Sequence, residues 1–493
     1  MHYKQSLRLA IIQALNIHSN TRIYLCGIGG IGMSALAKIL LQLNFSVAGS
    51  DMSHNHNCTA IQSMGGQIYV GHSAKNVDEG DLFVKSSAIN NSNVEYMKAQ
   101  QLSVNIISRA ELLAIITSPL PTICISGTHG KTTVTSMITE TLHRNLLHPM
   151  FACGGIINYL DTNADVGEPS DNRHLAVIEA DESDASFLHF TPYIAIITNI
   201  DEDHMETYAS IDSVRSAFTK FINNVQDNGA IVGYLHPDLT MIINNLDLST
   251  RQLITYSLDS KPIKGHTHVF ASNIQYNNDG TTFDLNIHQQ NNNILHTPSL
   301  EIPLCGKHNL ENALACIATL FFVQKEMSLN INFNHLNQFS GTYKRFTKFG
   351  NFMGHDIIMD YGHHPKEIAS TLEATRQKVG SSTKIIAVFQ PHKYSRFNHF
   401  LHEFVTSMQN ADTVVILDIY SANEENKHKI SVDDYITKFT NEYQQRKSIT
   451  YVPNDAPISP TIESLAMHHD KNIIIFFGAG NIEHFANKLI NNE

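Results

Sequence analysis

The chain has 493 residues, a length that suggests about three domains, each able to bury its own core. Hydrophobic residues make up 42% and charged residues 16%, an ordinary balance for a soluble globular chain. A net charge of −12 without any long Lys/Arg run argues against nucleic acid as the main partner, while leaving room for a basic pocket in one cleft. The six cysteines, at 26, 58, 124, 153, 305 and 316, form no C-x-x-C pair and read as reduced, buried thiols. No apolar run is long enough to cross a bilayer, and the first twenty residues lack a small-residue cleavage site, so a cytoplasmic location is expected.

Residues 22–51 open a first domain. RIYLC reads as a strand, GIGGIG follows at once, MSALAKILLQL runs at helical spacing, and FSVAGSD reads as a second strand ending in Asp51. Gly27, Gly29 and Gly32 fall in the G-x-G-x-x-G frame, with Gly30 and Ile31 inside it. A strand before, a helix after and an acid about 20 residues on place a pyrophosphate at the helix start. The frame leaves open whether a nicotinamide dinucleotide or another nucleotide diphosphate binds. His54, His56 and Cys58 alternate on a polar loop, a spacing with poor chelation geometry, and no metal is expected there. Further αβ alternation runs through LFVKSSAI and VNIISRAELL and closes at Ser118-Pro119-Leu120-Pro121, a linker.

A second domain starts at ICISGTHGKTT, residues 123–133. Apolar strand, glycine turn and amphipathic helix start make a phosphate cradle, with backbone N–H groups and the positive helix end aimed at an anion. Ile125 stands where the usual G-x-x-x-x-G-K-[ST] frame has its first glycine, so the loop is the shorter Gly127-Thr128-His129-Gly130-Lys131-Thr132, followed by Thr133. Lys131 would supply a point charge to terminal phosphates, and the Thr132 hydroxyl would hold Mg²⁺. LAVIEADESD and PYIAIITNIDEDHMETY are strands running into acids and a histidine, the strand-end setting of a Mg²⁺–nucleotide site. Of these, Glu179 and His204 read as functional, and Glu182 and Asp203 as ordinary loop carboxylates. Residues 229–303 turn β-rich with Asn-rich turns, and Gly306-Lys307-His308-Asn309 precedes a strongly amphipathic helix.

A third domain is expected from residue 334, with strands HDIIMDY, KIIAVFQ, DTVVILDIY, SITYV and NIIIFFGAG between helical stretches. Polar clusters lie at strand ends again, at 360–365 and 390–396. Their imidazoles and Arg396, whose fork suits a carboxylate, suggest a small carboxylate substrate.

Together these motifs resemble the Mur ligase family over the whole chain, in order: GIGGIGMSALA, SSAI, GTHGKTT, EADESDASFL, TNIDEDHMETY, GKHNLENALA, Arg345-Phe346, DYGHHP, FQPHKYSR and GAGNI. The resemblance implies an α/β fold of three domains: a Rossmann-like UDP-sugar domain (1–119), a central P-loop-type ATPase domain with a mostly parallel sheet (120–333), and a Rossmann-like C-terminal domain (334–493). It implies an ATP-dependent amide ligase acting through an acyl phosphate. The implied substrates are UDP-N-acetylmuramate and L-alanine, and the implied cofactor is Mg²⁺, with two ions. The glycine loop, Asp51, His72 and Ser87 would line the UDP-sugar pocket. Residues 127–133 would hold ATP, with Thr132, Glu179 and His204 on metal, and with Asn309, Arg345 and Asp360 reaching adenine, ribose and phosphates. Tyr361, His363, His392 and Arg396 would place the amino acid, and Lys131, Glu179 and His204 would be catalytic. Three substrates on three domains imply closure.

Sister ligases carry a carbamylated lysine where this chain has Phe218, with Lys220 nearby, so that modification is not expected. Met359 replaces an acid before Asp360, and Lys344 precedes a single Arg345 where two arginines are commoner. The rivals are a murein-peptide recycling ligase of the same family, an NAD-dependent oxidoreductase and a non-catalytic ATP-binding switch.

Overall fold

The computed structural model describes residues 2–168, 174–204, 207–277, 279–291, 293–422, 424–444, 446–467 and 471–491. Met205 and Glu206 of the TNIDEDHMETY motif and Asn292 of the Asn-rich stretch lie outside them. The chain divides into two compact units, one of residues 1–273, 283–300 and 311–340, the other of residues 274–282, 301–310 and 341–493.

The first unit opens with a helix, His2–Leu15, whose Leu7, Ile11 and Leu15 are buried at four-residue spacing. A five-stranded parallel sheet follows, in the order Gln67–Val70, Ser46–Asp51, Arg22–Cys26, Leu82–Lys85, Asn105–Ser108. The chain leaves the central strand toward one edge and returns to fill the other. The glycine loop after Cys26 therefore stands at the point where strand order reverses, the crevice position of an open α/β sheet. The same logic governs a ten-stranded sheet in which Thr122–Ser126 lies between Ile194–Ile197 and Ala176–Glu179, all parallel. The residues of Thr122–Ser126 are all buried, as expected of a strand covered on both faces.

Residues 1–119 lie in one compact unit with most of residues 120–333, while residues 274–282 and 301–310 belong to the other. The apolar core of the first unit runs from the helix Ile31–Gln42 into the strands around Met150, Ala152 and Ala164. Polar ties cross the same seam. Lys38 Nζ donates to Asn163 Oδ1 (2.7 Å), Asn163 Nδ2 to the Ile31 carbonyl (2.8 Å), and Gln42 Nε2 to Asp165 Oδ2 (3.1 Å). The first unit extends to Ser340. The segment up to Ser340 is held in the first unit by Glu140, whose carboxylate accepts from the Ser340 N–H (3.1 Å) and hydroxyl (2.8 Å).

The second unit is a six-stranded sheet in the order Thr347–Phe352, His355–Asp360, Asn472–Phe477, Lys384–Phe389, Thr413–Leu417, Ser448–Val452. Five strands are parallel, with an apolar cluster on each face. The five expected strands are all present. The antiparallel edge strand Thr347–Phe352 was not expected, because TKFGNF carries only two apolar residues and is mostly half-exposed.

Candidate active site

The phosphate loop connects the buried strand Thr122–Ser126 to the helix Lys131–Arg144. Gly130 caps that helix with φ +85°, left-handed backbone that L-residues disfavour, and a Cβ there would overlap Asn312 Oδ1. Asn199, at the end of the neighbouring strand, pins the loop from the side. Its Oδ1 accepts from His129 N (2.8 Å) and its Nδ2 donates to His129 O (3.0 Å), while the Thr198 hydroxyl donates to the same carbonyl (2.6 Å). The Asp201 N–H donates to the Thr128 hydroxyl (3.0 Å). Thr133 faces the first helical turn half-buried.

Lys131 Nζ donates to Gly127 O (2.6 Å) and to Glu182 Oε1 (2.9 Å), and Glu182 is 3% exposed. Burial works against the ammonium, but Glu182, Asp181 and Glu179 outweigh it, so the Lys131 pKa lies above its ordinary value. Burial also opposes the Asp181 carboxylate, and Lys131 with the Ser183 N–H more than offsets this, leaving its pKa low. The Thr132 hydroxyl donates to Glu179 Oε1 (2.9 Å), whose Oε2 accepts from Gly154 N (2.7 Å). His204, at φ +57°, brings Nε2 to 3.7 Å from Glu182 Oε1 and 3.6 Å from Asp203 Oδ2. Glu182 and Asp203, read from sequence as ordinary loop carboxylates, are thus buried partners of Lys131 and His204. Their loop positions gave no sign of this, because burial at a strand end is set by tertiary packing. The hydroxyl, the carboxylates and the lysine fit Mg²⁺–ATP: hard oxygen donors lie beside a helix N-terminus and a charge aimed at phosphates.

In the first sheet, the Gly27 and Ile28 N–H groups donate to Ser50 O (2.8 and 2.9 Å). Gly29 N donates to Asp51 Oδ2 (2.9 Å), so that carboxylate faces the loop. The stretch read above as a polar loop is instead the start of the helix His56–Ser63, whose N-cap Asn55 and first-turn Asn57 donate to Gly29 O (3.1 and 2.9 Å). Gly30 caps the helix that begins at Ile31, and Ile31 is 38% exposed. Gly32 lies against the Arg109 side chain, which also bears electrostatically on Asp181. Sequence reasoning passed over Arg109 within VNIISRAELL. The residue beside Gly27 is Ser86, whereas Ser87 is exposed. His72 turns Nδ1 to the Ser50 hydroxyl (2.9 Å) and Glu95 Oε2 (3.1 Å).

In the second unit, Asp360 ends its strand and accepts from Phe346 N (3.0 Å) and Gly362 N (2.8 Å). Burial pushes it up to about 6, a rise that Arg345 and those N–H groups offset only in part. The Arg345 guanidinium lies 5.0 Å from the centre of the Tyr361 ring, and Tyr361, His363, His392 and Tyr420 continue as ring contacts at 5.5, 5.9 and 5.6 Å. Burial, with Arg396 and Lys393 nearby, pushes His392 down to about 4, a neutral imidazole at pH 7. Its buried Nδ1 and the buried Gln390 Oε1 have no hydrogen-bond partner among the described residues. With the buried Arg396 guanidinium, these acceptors suit the ammonium and carboxylate ends of an amino acid. Asn309 lies in this unit too, its Nδ2 donating to Cys305 O (2.8 Å). Phe218 is buried against Phe187 (5.2 Å) and Lys220 is exposed, so neither stands in the site.

A phosphate cradle on a mostly parallel sheet, a glycine loop on another and a cluster of polar side chains at the strand ends of a third are the parts of a nucleotide-using α/β enzyme with more than one substrate. Sequence profiles described as the Mur ligase family catalytic domain, the Mur ligase middle domain and the Mur ligase glutamate ligase domain match residues 22–119, 125–320 and 344–480. The chain belongs to the Mur ligase family. It is 36% identical over 473 residues to UDP-N-acetylmuramate–L-alanine ligase of Rickettsia felis, covering 95% of each chain. Against the ligase of the same name from Hydrogenobaculum it is 38% identical over 461 residues, covering 94% of this chain and 96% of that one. The crystal structure of UDP-N-acetylmuramate–alanine ligase from Thermotoga maritima superposes with a TM-score of 0.75 at 25% identity, covering 96% of this chain and 98% of that one.

Proposed function

We propose that this chain joins L-alanine to the lactyl carboxylate of UDP-N-acetylmuramate, converting ATP to ADP and phosphate, in the cytoplasm, during assembly of the peptidoglycan precursor. What carries the reading is the full-length similarity to ligases of that name combined with a built phosphate cradle. A carboxylate oxygen of the sugar nucleotide attacks the γ-phosphorus and ADP leaves. The L-alanine ammonium loses one proton to solvent, the resulting amine attacks the acyl carbon, and the nitrogen passes a second proton to the phosphate as it leaves.

Lys131 moves its charge from Glu182 and the loop carbonyls to the terminal phosphates, stabilising charge that builds on the transferring group. The Gly130 turn aligns the first N–H groups of the helix on the same phosphates. Thr132 and Glu179, with His204 for a second ion, hold Mg²⁺, which neutralises phosphate charge when bound. The glycine loop and Arg109 hold the UDP-sugar diphosphate. His392 and Gln390 accept from the amino-acid ammonium while Arg396 takes its carboxylate, and Asn309, Arg345 and Asp360 serve the nucleotide. The test is oxygen transfer. With ¹⁸O in the lactyl carboxylate, one labelled oxygen must appear in the phosphate released. Unlabelled phosphate accompanying amide product would overturn the acyl-phosphate route.

A further inference from the structure

Behind the glycine loop, four elements bring metal-ligating side chains to one point. Cys26 ends the central strand, Ser50 belongs to the next strand, His72 follows the edge strand, and Glu95 opens the helix Val94–Gln101. Cys26 Sγ lies 3.1 Å from Glu95 Oε2 and 3.8 Å from His72 Nδ1, and His72 Nδ1 lies 3.1 Å from the same Glu95 oxygen. Tetrahedral zinc bound to sulfur, nitrogen and oxygen separates such atoms by about 3.3–3.6 Å, as follows from its bond lengths. The three atoms are within about half an ångström of that triangle.

The two oxygens of Glu95 are used differently. Oε1 is saturated by fixed donors: Tyr24 Oη (2.9 Å), Ser73 N (3.0 Å) and Asn76 Nδ2 (2.7 Å). Among the described residues, Oε2 is met by groups that can release a proton, rotate or change tautomer, namely the thiol, the Ser50 hydroxyl and the His72 ring. Fixing a carboxylate from behind while its other oxygen stays adaptable is the outer-shell arrangement that orients a ligand. Cys26 and Glu95 are fully buried, while the His72 side chain is 14% exposed and supplies the entry path.

We propose that Cys26, His72 and Glu95 form a binding site for a borderline-soft divalent cation of the zinc class, distinct from the Mg²⁺–nucleotide site, with Ser50 or water as the fourth ligand. The thiol and imidazole select against Mg²⁺, which prefers oxygen donors and octahedral geometry. On coordination the Cys26 thiol releases its proton to solvent, and His72 binds through Nδ1 as the neutral ring, its proton on the other nitrogen. Glu95 brings no proton.

The test uses the full-length protein in excess Mg²⁺, titrated with Co²⁺ as the spectroscopic probe and then with Zn²⁺. One equivalent of Co²⁺ should give a sulfur-to-cobalt charge-transfer band and tetrahedral ligand-field absorption, both displaced by one equivalent of Zn²⁺. Cys26→Ser should lose the charge-transfer band, and Glu95→Gln should weaken Co²⁺ binding by about tenfold or more, in the range of metal-site perturbations. Cys305→Ser, at the partly exposed thiol of the second unit, should keep the band. Absence of the band from the wild-type protein overturns the site, as does a band that survives in Cys26→Ser or vanishes in Cys305→Ser. Because the wild-type titration alone can refute it, the proposal does not depend on the folding of any variant.

Discussion

Gly130→Ala tests how the phosphate loop is built. At φ +85° an alanine pays the left-handed penalty of about 1–2 kcal/mol. Its Cβ also meets Asn312 Oδ1, on a side chain only 8% exposed, which must rotate out of its preferred well at about 0.5–1.5 kcal/mol. The sum, about 1.5–3.5 kcal/mol, should appear in urea unfolding of the first unit. Gly80→Ala is the matched control, because φ there is +86° but a Cβ meets nothing within 4 Å. It should lose only the backbone part, about 1–2 kcal/mol, with ATP affinity unchanged. Fluorescent-nucleotide titration should show Gly130→Ala alone weakened, since relief of the clash turns the loop N–H groups off the phosphates. Equal loss in both variants, or normal nucleotide binding by Gly130→Ala, would refute the geometry.

Asp360 makes the second unit pH-sensitive. Its pKa, about 6 in the folded chain against 3.8 ordinarily, means that the folded state holds the proton longer. This contribution is full below the unfolded pKa and is lost as pH rises through 6, by up to about 3 kcal/mol. Chemical denaturation from pH 4 to 7 should show that slope in the wild type and a flatter one in Asp360→Asn. Phe218→Ala should cost the first unit about 3–5 kcal/mol, read by unfolding, because a fully buried ring against Phe187 is removed. Asn55→Ala removes the cap on Cys58 N and one donor to Gly29 O. It should cost about 1 kcal/mol of stability and raise KM for the sugar nucleotide while leaving that for ATP unchanged, a split that steady-state kinetics would show.

Most of the architecture was legible because both loops sit in strand–turn–helix units whose apolar runs are buried as whole strands. The strand ending in Cys26 and that ending in Ser126 illustrate this. Side-chain contacts across long separations were not legible: Lys38 ties the helix after the glycine loop to Asn163, and Glu140 ties the helix after the phosphate loop to Ser340. Within the site, Lys131, Thr132 and Glu179 stood out by position in a motif. Glu182, Asn199 and Asn312 did not, since their roles depend on which side chain folds over a loop distant in sequence. Asn55 and Asn57 were hidden in a histidine-flanked run that drew attention to the wrong side chains.

Whether this chain adds L-alanine to the sugar nucleotide is decided by phosphate release from the purified protein with ATP, Mg²⁺, UDP-N-acetylmuramate and L-alanine, each omitted in turn, beside the Lys131→Ala variant. Release should need all four components, give a sugar-nucleotide product extended by one alanine, and be absent in the variant. Release without the sugar nucleotide, use of a murein tripeptide in place of L-alanine, or full activity in Lys131→Ala would contradict this reading.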